Sequence, residues 1–269
     1  MSKTFFTSDT HFGHENIMKY CRRDKFMTAE EVALLDASDR GEIDQRKVRI
    51  SNESIERMNR AMIDNINAVV GENDVLYHIG DAFWGHDIDF AWAMRRQINC
   101  RTIHHIWGNH DEPEVKDLFA SSEKYAEVIV DHQKIFLCHY PMRAWDKSHK
   151  GSWCLYGHVH GKTWDEDKYG LSGSDRKALS GKFAETLKAT FADMHVGVTN
   201  ELLEILGGKL AQDVADHNCN VLTLDVGVDT HDYRPWSMDE LRAELHPKIE
   251  AWRLRREQEK ANYAPSTRK

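Results

Sequence analysis

Five short polar motifs, each lying directly behind an apolar run of strand length, limit what this chain can fold into. They are Asp9-Thr10-His11, Gly80-Asp81, Gly108-Asn109-His110-Asp111, a single His139, and Gly157-His158-Val159-His160. The runs before them, at residues 4–7, 75–79, 103–107, 135–138 and 153–156, read as strands. Side chains there project from the carboxyl ends of strands, where open α/β sheets build their ligand sites. Any one motif alone is weak, since Asp-x-His and Gly-Asp arise often by chance. All five in this order, each behind a strand, make a strong signal.

The residue types fit one chemistry. Two divalent cations held close together need a bridging anionic oxygen, with neutral nitrogen and amide-oxygen ligands that leave positions open. Asp81 can supply the bridge. Asp9, His11 and His160 complete one metal, and Asn109, His139 and His158 the other. Only Asp9 and Asp81 in this set are anionic, so two cations leave surplus positive charge that a bridging hydroxide reduces without cancelling. Such a site attracts phosphate, polarises it, and generates hydroxide near neutral pH. His110 reads as a cation or acid aimed at the substrate, with Asp111 orienting its ring.

At these residues the chain resembles the calcineurin-like metallophosphoesterase superfamily, which carries the same five blocks in the same order. The resemblance places Asp9, His11, Asp81, Asn109, His139, His158 and His160 on the family's metal positions and His110 on its catalytic histidine. A small, single-domain bacterial and bacteriophage branch is most similar, through Phe6-Thr7-Ser8-Asp9-Thr10-His11-Phe12-Gly13-His14, Leu137-Cys138-His139-Tyr140-Pro141-Met142-Arg143 and Leu224-Asp225-Val226-Gly227-Val228-Asp229. It covers roughly residues 1–163 and 219–245, and the segment between lies outside it. The implied fold is α/β, a two-sheet sandwich flanked by helices, which the alternation of strands and helices also suits.

Length and charge narrow the alternatives. A chain of 269 residues supports one sizeable core, here a phosphoesterase domain over 1–245 with an inserted helical hairpin at about 165–218, then a charged helix and tail at 246–269. The net charge of −8 argues against an extended nucleic-acid surface, which needs clustered Lys and Arg. Cys21, Cys100, Cys138, Cys154 and Cys219 are scattered and odd in number, as in a reducing cytoplasm. No leader-like segment and no run of membrane-spanning length is evident, so a soluble cytoplasmic protein is expected, in the host cytoplasm if phage-encoded.

Local patterns add detail. Ile55, Met58, Met62, Ile63, Ile66, Val69 and Val70 recur at helical spacing and stop at Gly71, a C-cap. A second helix is expected around 89–99, residues 36–50 as a surface loop, and a hairpin between 128–130 and 135–138. Ser237-Met238-Asp239-Glu240 is a capping box whose helix Pro247 should break. In the insertion, Leu179, Phe183, Leu187, Phe191 and Met194 mark one amphipathic helix. Leu202, Leu203, Ile205, Leu206, Leu210 and Val214 mark another, split by Gly207-Gly208. This hairpin is expected to cap the site or to form a homodimer contact.

Among the remaining polar residues, Arg143, His14 and His149 are candidates for substrate phosphate. His78, His104 and His105 sit in strands and read as structural, whereas His86, His132, His195, His217, His231 and His246 read as solvated. Trp84, Trp145 and Trp153 flank the motifs, where core packing competes with stacking on a base. The expected activity is two-metal hydrolysis of a small, soluble, nucleotide-like phosphodiester, with Mn²⁺ as the first metal and Fe, Zn or Ni as alternatives. A phosphomonoesterase, a nuclease and a noncatalytic partner-binding scaffold are the rival readings. A protein phosphatase is disfavoured, because Ala82-Phe83-Trp84-Gly85 follows Gly80-Asp81 in place of Asp-Arg-Gly, and Asp111 replaces the Glu after Asn-His.

Overall fold

In the first three strands, alternate residues sort to opposite faces, as the two-residue period of a strand requires. In the computed structural model, which describes residues 2–85, 87–162, 173–219 and 222–262, these are β1 (Thr4–Thr7), β2 (Val75–His78) and β3 (Thr102–Ile106). Phe5 pairs with Leu76 and Leu76 with Ile103, and all three enter one buried core. On the other face the rings of Phe6, Tyr77 and His104 stack in turn, with centroids 5.5 and 5.0 Å apart.

Strands β4 (Ser121–Glu123) and β9 (Trp236–Ser237) extend this sheet to the order β4-β3-β2-β1-β9, in which only β9 is antiparallel. A second sheet has the order β5-β6-β7-β8, from β5 (Tyr125–Val130), β6 (Gln133–Cys138), β7 (Trp153–Tyr156) and β8 (Thr223–Asp225). Every residue of β7 is buried, which explains its unbroken apolar run. The expected hairpin is β5–β6. It closes through Asp131 and His132 at φ of +46° and +65°, the mirror-image turn that matches strand twist. A bridge between Ser8 and Gly227 joins the two sheets beside the ends of β1 and β8.

Helices α1 (Glu15–Tyr20), α2 (Ala29–Asp39), α3 (Asn52–Val69) and α4 (Ile88–Arg95) flank the first sheet's sequence. Met58, Met62, Ile63 and Ile66 of α3 and Ala91 of α4 enter the core that holds Phe5 and Leu76. The fold is therefore mixed α/β, two sheets flanked by helices. The 36–50 segment is not a plain loop: α2 runs into it, and Val48 and Ile50 are buried. Two isolated apolar anchors give no period to read. Gly71 is not a left-handed cap either. Val70 closes α3 in extended conformation, and the Gly71 amide donates to the Asp74 carboxylate at 2.9 Å.

The chain divides into two compact units, Met1–Gly161 with Thr223–Ala243, and Lys162–Leu222 with Glu244–Lys269. In the second, α5 (Gly173–Asp193) and α6 (Asn200–Cys219) form the expected hairpin, with Phe183 packed against buried Leu179 and Ala211. Gly207 does not split α6. A Cβ there would meet the Ser180 carbonyl and Ala184, so the glycine lets the helices approach closely. Met194 and Ile205 remain exposed. Helix α7 (Met238–Asn262) begins at the expected capping box, Ser237 Oγ accepting from Glu240 N and Glu240 from Ser237 N. It continues through Pro247, which removes one backbone donor from a long helix without ending it.

Candidate functional site

The first strand ends at Thr7, and from Asp9 the chain leaves ordinary backbone space. Asp9, His11, Asp81, His158 and His160 take φ of +59°, +49°, +56°, +74° and +52°, a region that costs L-residues about 1–3 kcal/mol each. Neighbouring bonds hold them there. Asp9 N donates to Gly80 O and His11 N to Asp81 O, both at 3.0 Å. Thr10 Oγ1, between them, donates to Ala82 O at 2.9 Å and meets His78 Nε2 at 2.9 Å. The His158 amide donates to the two carboxylate oxygens of Asp9 at 3.1 and 3.0 Å. Gly80 is required twice over, by its φ of +89° and because a Cβ would strike His139 Nδ1 and the Gly108 backbone.

These turns bring the motif residues into two adjoining groups. Donor atoms of Asp9, His11 and His160 lie within 4.8 Å of one another, and so do those of Asp81, His139 and His158. Asp81 Oδ2 connects the groups, 3.5 Å from His11 Nε2 and 3.3 Å from His139 Nε2. Asn109 Oδ1 stands 3.3 Å from His139 Nε2, beside the second group.

Burial and close charges perturb the titration of both groups. Burial pushes the Asp9 carboxyl up to about 7, against the pull of His160 and His139. Burial opposes protonation of His139, yet its bond to Asp81 and the charge of Asp9 raise it to about 9. His160 likewise rises to about 10, burial being outweighed by Asp229, Cys21 and Asp9. His11 goes the other way, driven well below its ordinary value by burial and by Arg23. Its Nε2 is buried without a hydrogen-bond partner, at a cost unless something accepts the lone pair. An orphaned imidazole nitrogen beside two carboxylates is what a cation would satisfy. Imidazole, carboxylate and amide donors together suit borderline divalent metals.

A second layer, which the motifs did not reveal, holds this group. Arg23 is fully buried. Its guanidinium donates to the two oxygens of Asp229 at 2.8 Å each, and to the carbonyls of Asp9 and Thr10 at 2.9 and 3.1 Å. Asp229 Oδ2 also meets His160 Nδ1 at 2.8 Å, which turns the imidazole so that Nε2 faces Asp9. Cys21 Sγ lies within 4.8 Å of donor atoms of His160 and Asp229. Asp225 accepts from the Gly161 and Gly227 amides, both at 2.8 Å, and fixes the turn behind His160. Asp229 and Asp225 belong to the Leu224–Asp229 block, the one sequence signal that pointed to them.

Asp111 does not orient His110. Its carboxylate accepts from the amides of Asp81 (2.8 Å), Ala82 (2.9 Å) and Gly108 (2.8 Å) and pairs with buried His105 Nε2 at 3.0 Å. Despite burial, those bonds hold it well below the ordinary carboxylate range. The loop folds Asp111 back toward the segments that follow β2 and β3, where it clamps the Gly80-Asp81 and Gly108-Asn109 turns together. His110 is oriented by its backbone, whose amide donates to Asp81 Oδ1 at 2.9 Å, and its ring centroid lies 5.5 Å from that of His11.

Other candidates separate in the same way. His14 is 4% exposed and lies flat against the indole of Trp84, with centroids 3.6 Å apart, and its Nδ1 stands 3.4 Å from that of His11. Arg143 and His149 are exposed on the segment between β6 and β7. Trp153 is core, and half-buried Trp145 donates to Ser152 O at 3.2 Å. His78, His104 and His105 have structural partners in Thr10, Ser121 and Asp111. His231 is not solvated; its ring stacks on Trp236 at 3.7 Å. His86 and the His217 side chain lie outside the described residues.

An uncharacterized protein of Methanocaldococcus jannaschii is 28% identical over 181 residues, covering 67% of this chain and 81% of that protein. Among solved structures, a protein of unknown function from Aquifex aeolicus matches at 16% identity with a TM-score of 0.49, covering 90% of this chain and 99% of that one. The family profile described as calcineurin-like phosphoesterase matches residues 2–226. With most of its length under that profile, the chain belongs to the calcineurin-like phosphoesterase family.

Proposed function

We propose that this metal-dependent phosphoesterase is a phosphodiesterase for a small, soluble, nucleotide-like ester, with two divalent cations, Mn²⁺ foremost. One observation carries the dinuclear reading: Asp81 Oδ2 stands within 3.5 Å of His11 and 3.3 Å of His139, and so belongs to both donor groups. Asp9, His11 and His160 would hold one cation, and Asn109, His139 and His158 the other, with Asp81 shared. Such ions supply Lewis acidity and lower the pKa of water. The chain's own part is to fix the donors, keep His160 turned through Asp229, and present His110 to the leaving oxygen as proton donor.

The choice of diester rests on charge. A monoester dianion leaves through a loose transition state and needs several cations around its free oxygens. The buried guanidinium of Arg23 is engaged by Asp229 and two carbonyls, so among the described residues of the motif loops His110, with at most the exposed Arg143 and His149, is left to meet those oxygens, and there are no paired arginines. A diester carries one negative charge, and its alkoxide leaving group gains most from a proton donor. The test compares kcat/KM for bis(p-nitrophenyl) phosphate and p-nitrophenyl phosphate at one Mn²⁺ concentration and pH. Preference for the diester is expected, and a clear monoester preference repeated on nucleotides would reverse the assignment.

A further inference from the structure

Trp84 is the only tryptophan among the described residues counted as exposed, at 40%. His14, itself nearly buried, covers one face of the indole at 3.6 Å with an interplanar angle of 1°, so the exposure belongs to the opposite face and the edges. The ring is fixed rather than loosely tethered. Trp84 N donates to Phe12 O at 3.0 Å, and a β-bridge pairs Phe12 with Phe83 just before it. His110 lies alongside, 4.9 Å between centroids.

The second donor group has a counterpart. Tyr140 is 44% exposed, and its ring stands edge-on to His158 and His139 at 4.8 and 5.2 Å. Tyr140 thus touches two donors of the second group directly, whereas Trp84 stands one ring away from the first, its neighbours His14 and His110 lying 5.3 and 5.5 Å from His11; each exposed ring is braced by histidines. A braced ring accepts a planar partner without first being ordered, which removes part of the cost of binding. Stacking of this kind tolerates any base, because every base has a π-face.

The geometry points to Trp84 and Tyr140 as a pair of stacking platforms for planar groups on either side of the scissile phosphate. This inference rests on the phosphodiesterase reading and narrows its substrate class to esters bearing nucleobase-like or aryl groups. Trp84, beside His110, takes the planar group on the leaving side, and Tyr140 takes the group that remains on phosphorus.

Two measurements test it. In the first, calorimetry on Mn²⁺-loaded protein compares adenosine 5′-monophosphate with ribose 5-phosphate, in which an anomeric hydroxyl stands in place of the base. The base should tighten binding about tenfold, the scale of one stacked base, with the gain reduced in Trp84→Ala or Tyr140→Ala and absent when both are replaced. Trp84→Phe should restore it, as loss of fold or metal would not. Equal affinity for the two probes, or a gain that survives the double replacement, overturns the proposal. The second compares kcat/KM for bis(p-nitrophenyl) phosphate and methyl p-nitrophenyl phosphate, which share a leaving group. Tyr140→Ala should collapse the preference for the diaryl ester, and Trp84→Ala should slow the two alike; a preference unmoved by Tyr140→Ala overturns the assigned sides. Failure to hydrolyse any diester would sink the diesterase reading, while the calorimetric comparison would still judge the platforms.

Discussion

Replacing Asp229 by Asn tests whether the layer behind the donor groups governs metal binding. The change keeps the shape and removes one charge. Arg23, with no exposed surface, would then keep only the carbonyls of Asp9 and Thr10 among its oxygen partners of full strength. Breaking a buried pair in this way costs about 3–5 kcal/mol, because the surviving charge stays desolvated. At about 2–4 °C per kcal/mol for a chain of this class, melting should fall by roughly 6–20 °C. His160 also loses the carboxylate that turns its Nε2 toward Asp9, and such partners are commonly worth about 10- to 100-fold in metal affinity. Arg23 and His160 hold the Asp229 carboxylate below its ordinary value of 3.8 despite burial. A depressed carboxylate stabilises the fold above its unfolded pKa and loses that effect as pH falls through the folded one. The difference between wild type and variant should therefore be full at pH 7 and shrink below about pH 4. Thermal melts across this range and titration with Mn²⁺ provide the readout. A variant that melts within about 2 °C of wild type at pH 7, or binds Mn²⁺ equally well, would refute the reasoning.

Asp81→Ala should remove more bound metal and activity than His139→Ala, since Asp81 Oδ2 lies within 3.5 Å of His11 in one donor group and 3.3 Å of His139 in the other; elemental analysis of the purified variants decides. His110→Ala should keep its metals and lose turnover by about 10²-fold or more, and metal loss matching that of His139→Ala would contradict the assigned role. Metal affinity should climb with pH. Asp9 near 7, His139 near 9 and His160 near 10 each hold a proton that a cation must displace, so binding strengthens as pH rises through these values and releases protons to buffer. Calorimetry in buffers of different ionisation enthalpy measures that release, and a flat affinity from pH 6 to 10 would argue against these shifts.

The donor residues were legible because strand ends impose a local grammar: an apolar run, a turn, then the ligand. What escaped was everything built across distance. Arg23 and Asp229 meet over 206 positions of sequence, and a lone arginine in a polar segment carries no sign that it will be buried. Asp111 misled through adjacency. Next to His110 in sequence it looks like that ring's partner, but side chains one position apart in a tight turn point in different directions. Pro247 misled for another reason. A missing amide costs one helical bond, and flanking residues in α7 maintain the helix around it.

The five donor residues held at positive φ set folding against chemistry. His158 makes the conflict plainest, since its side chain is exposed and is held by edge contacts with Tyr140 and His139 alone among its recorded ring neighbours. Glycine there would relieve about 1–2 kcal/mol of left-handed strain. Against this stands about 0.5–1 kcal/mol of added chain entropy. A population selected only for heat resistance would therefore have little to hold histidine at this position beyond its edge contacts with Tyr140 and His139. A histidine at such a backbone position is explained by the metal binding proposed above and not by the fold.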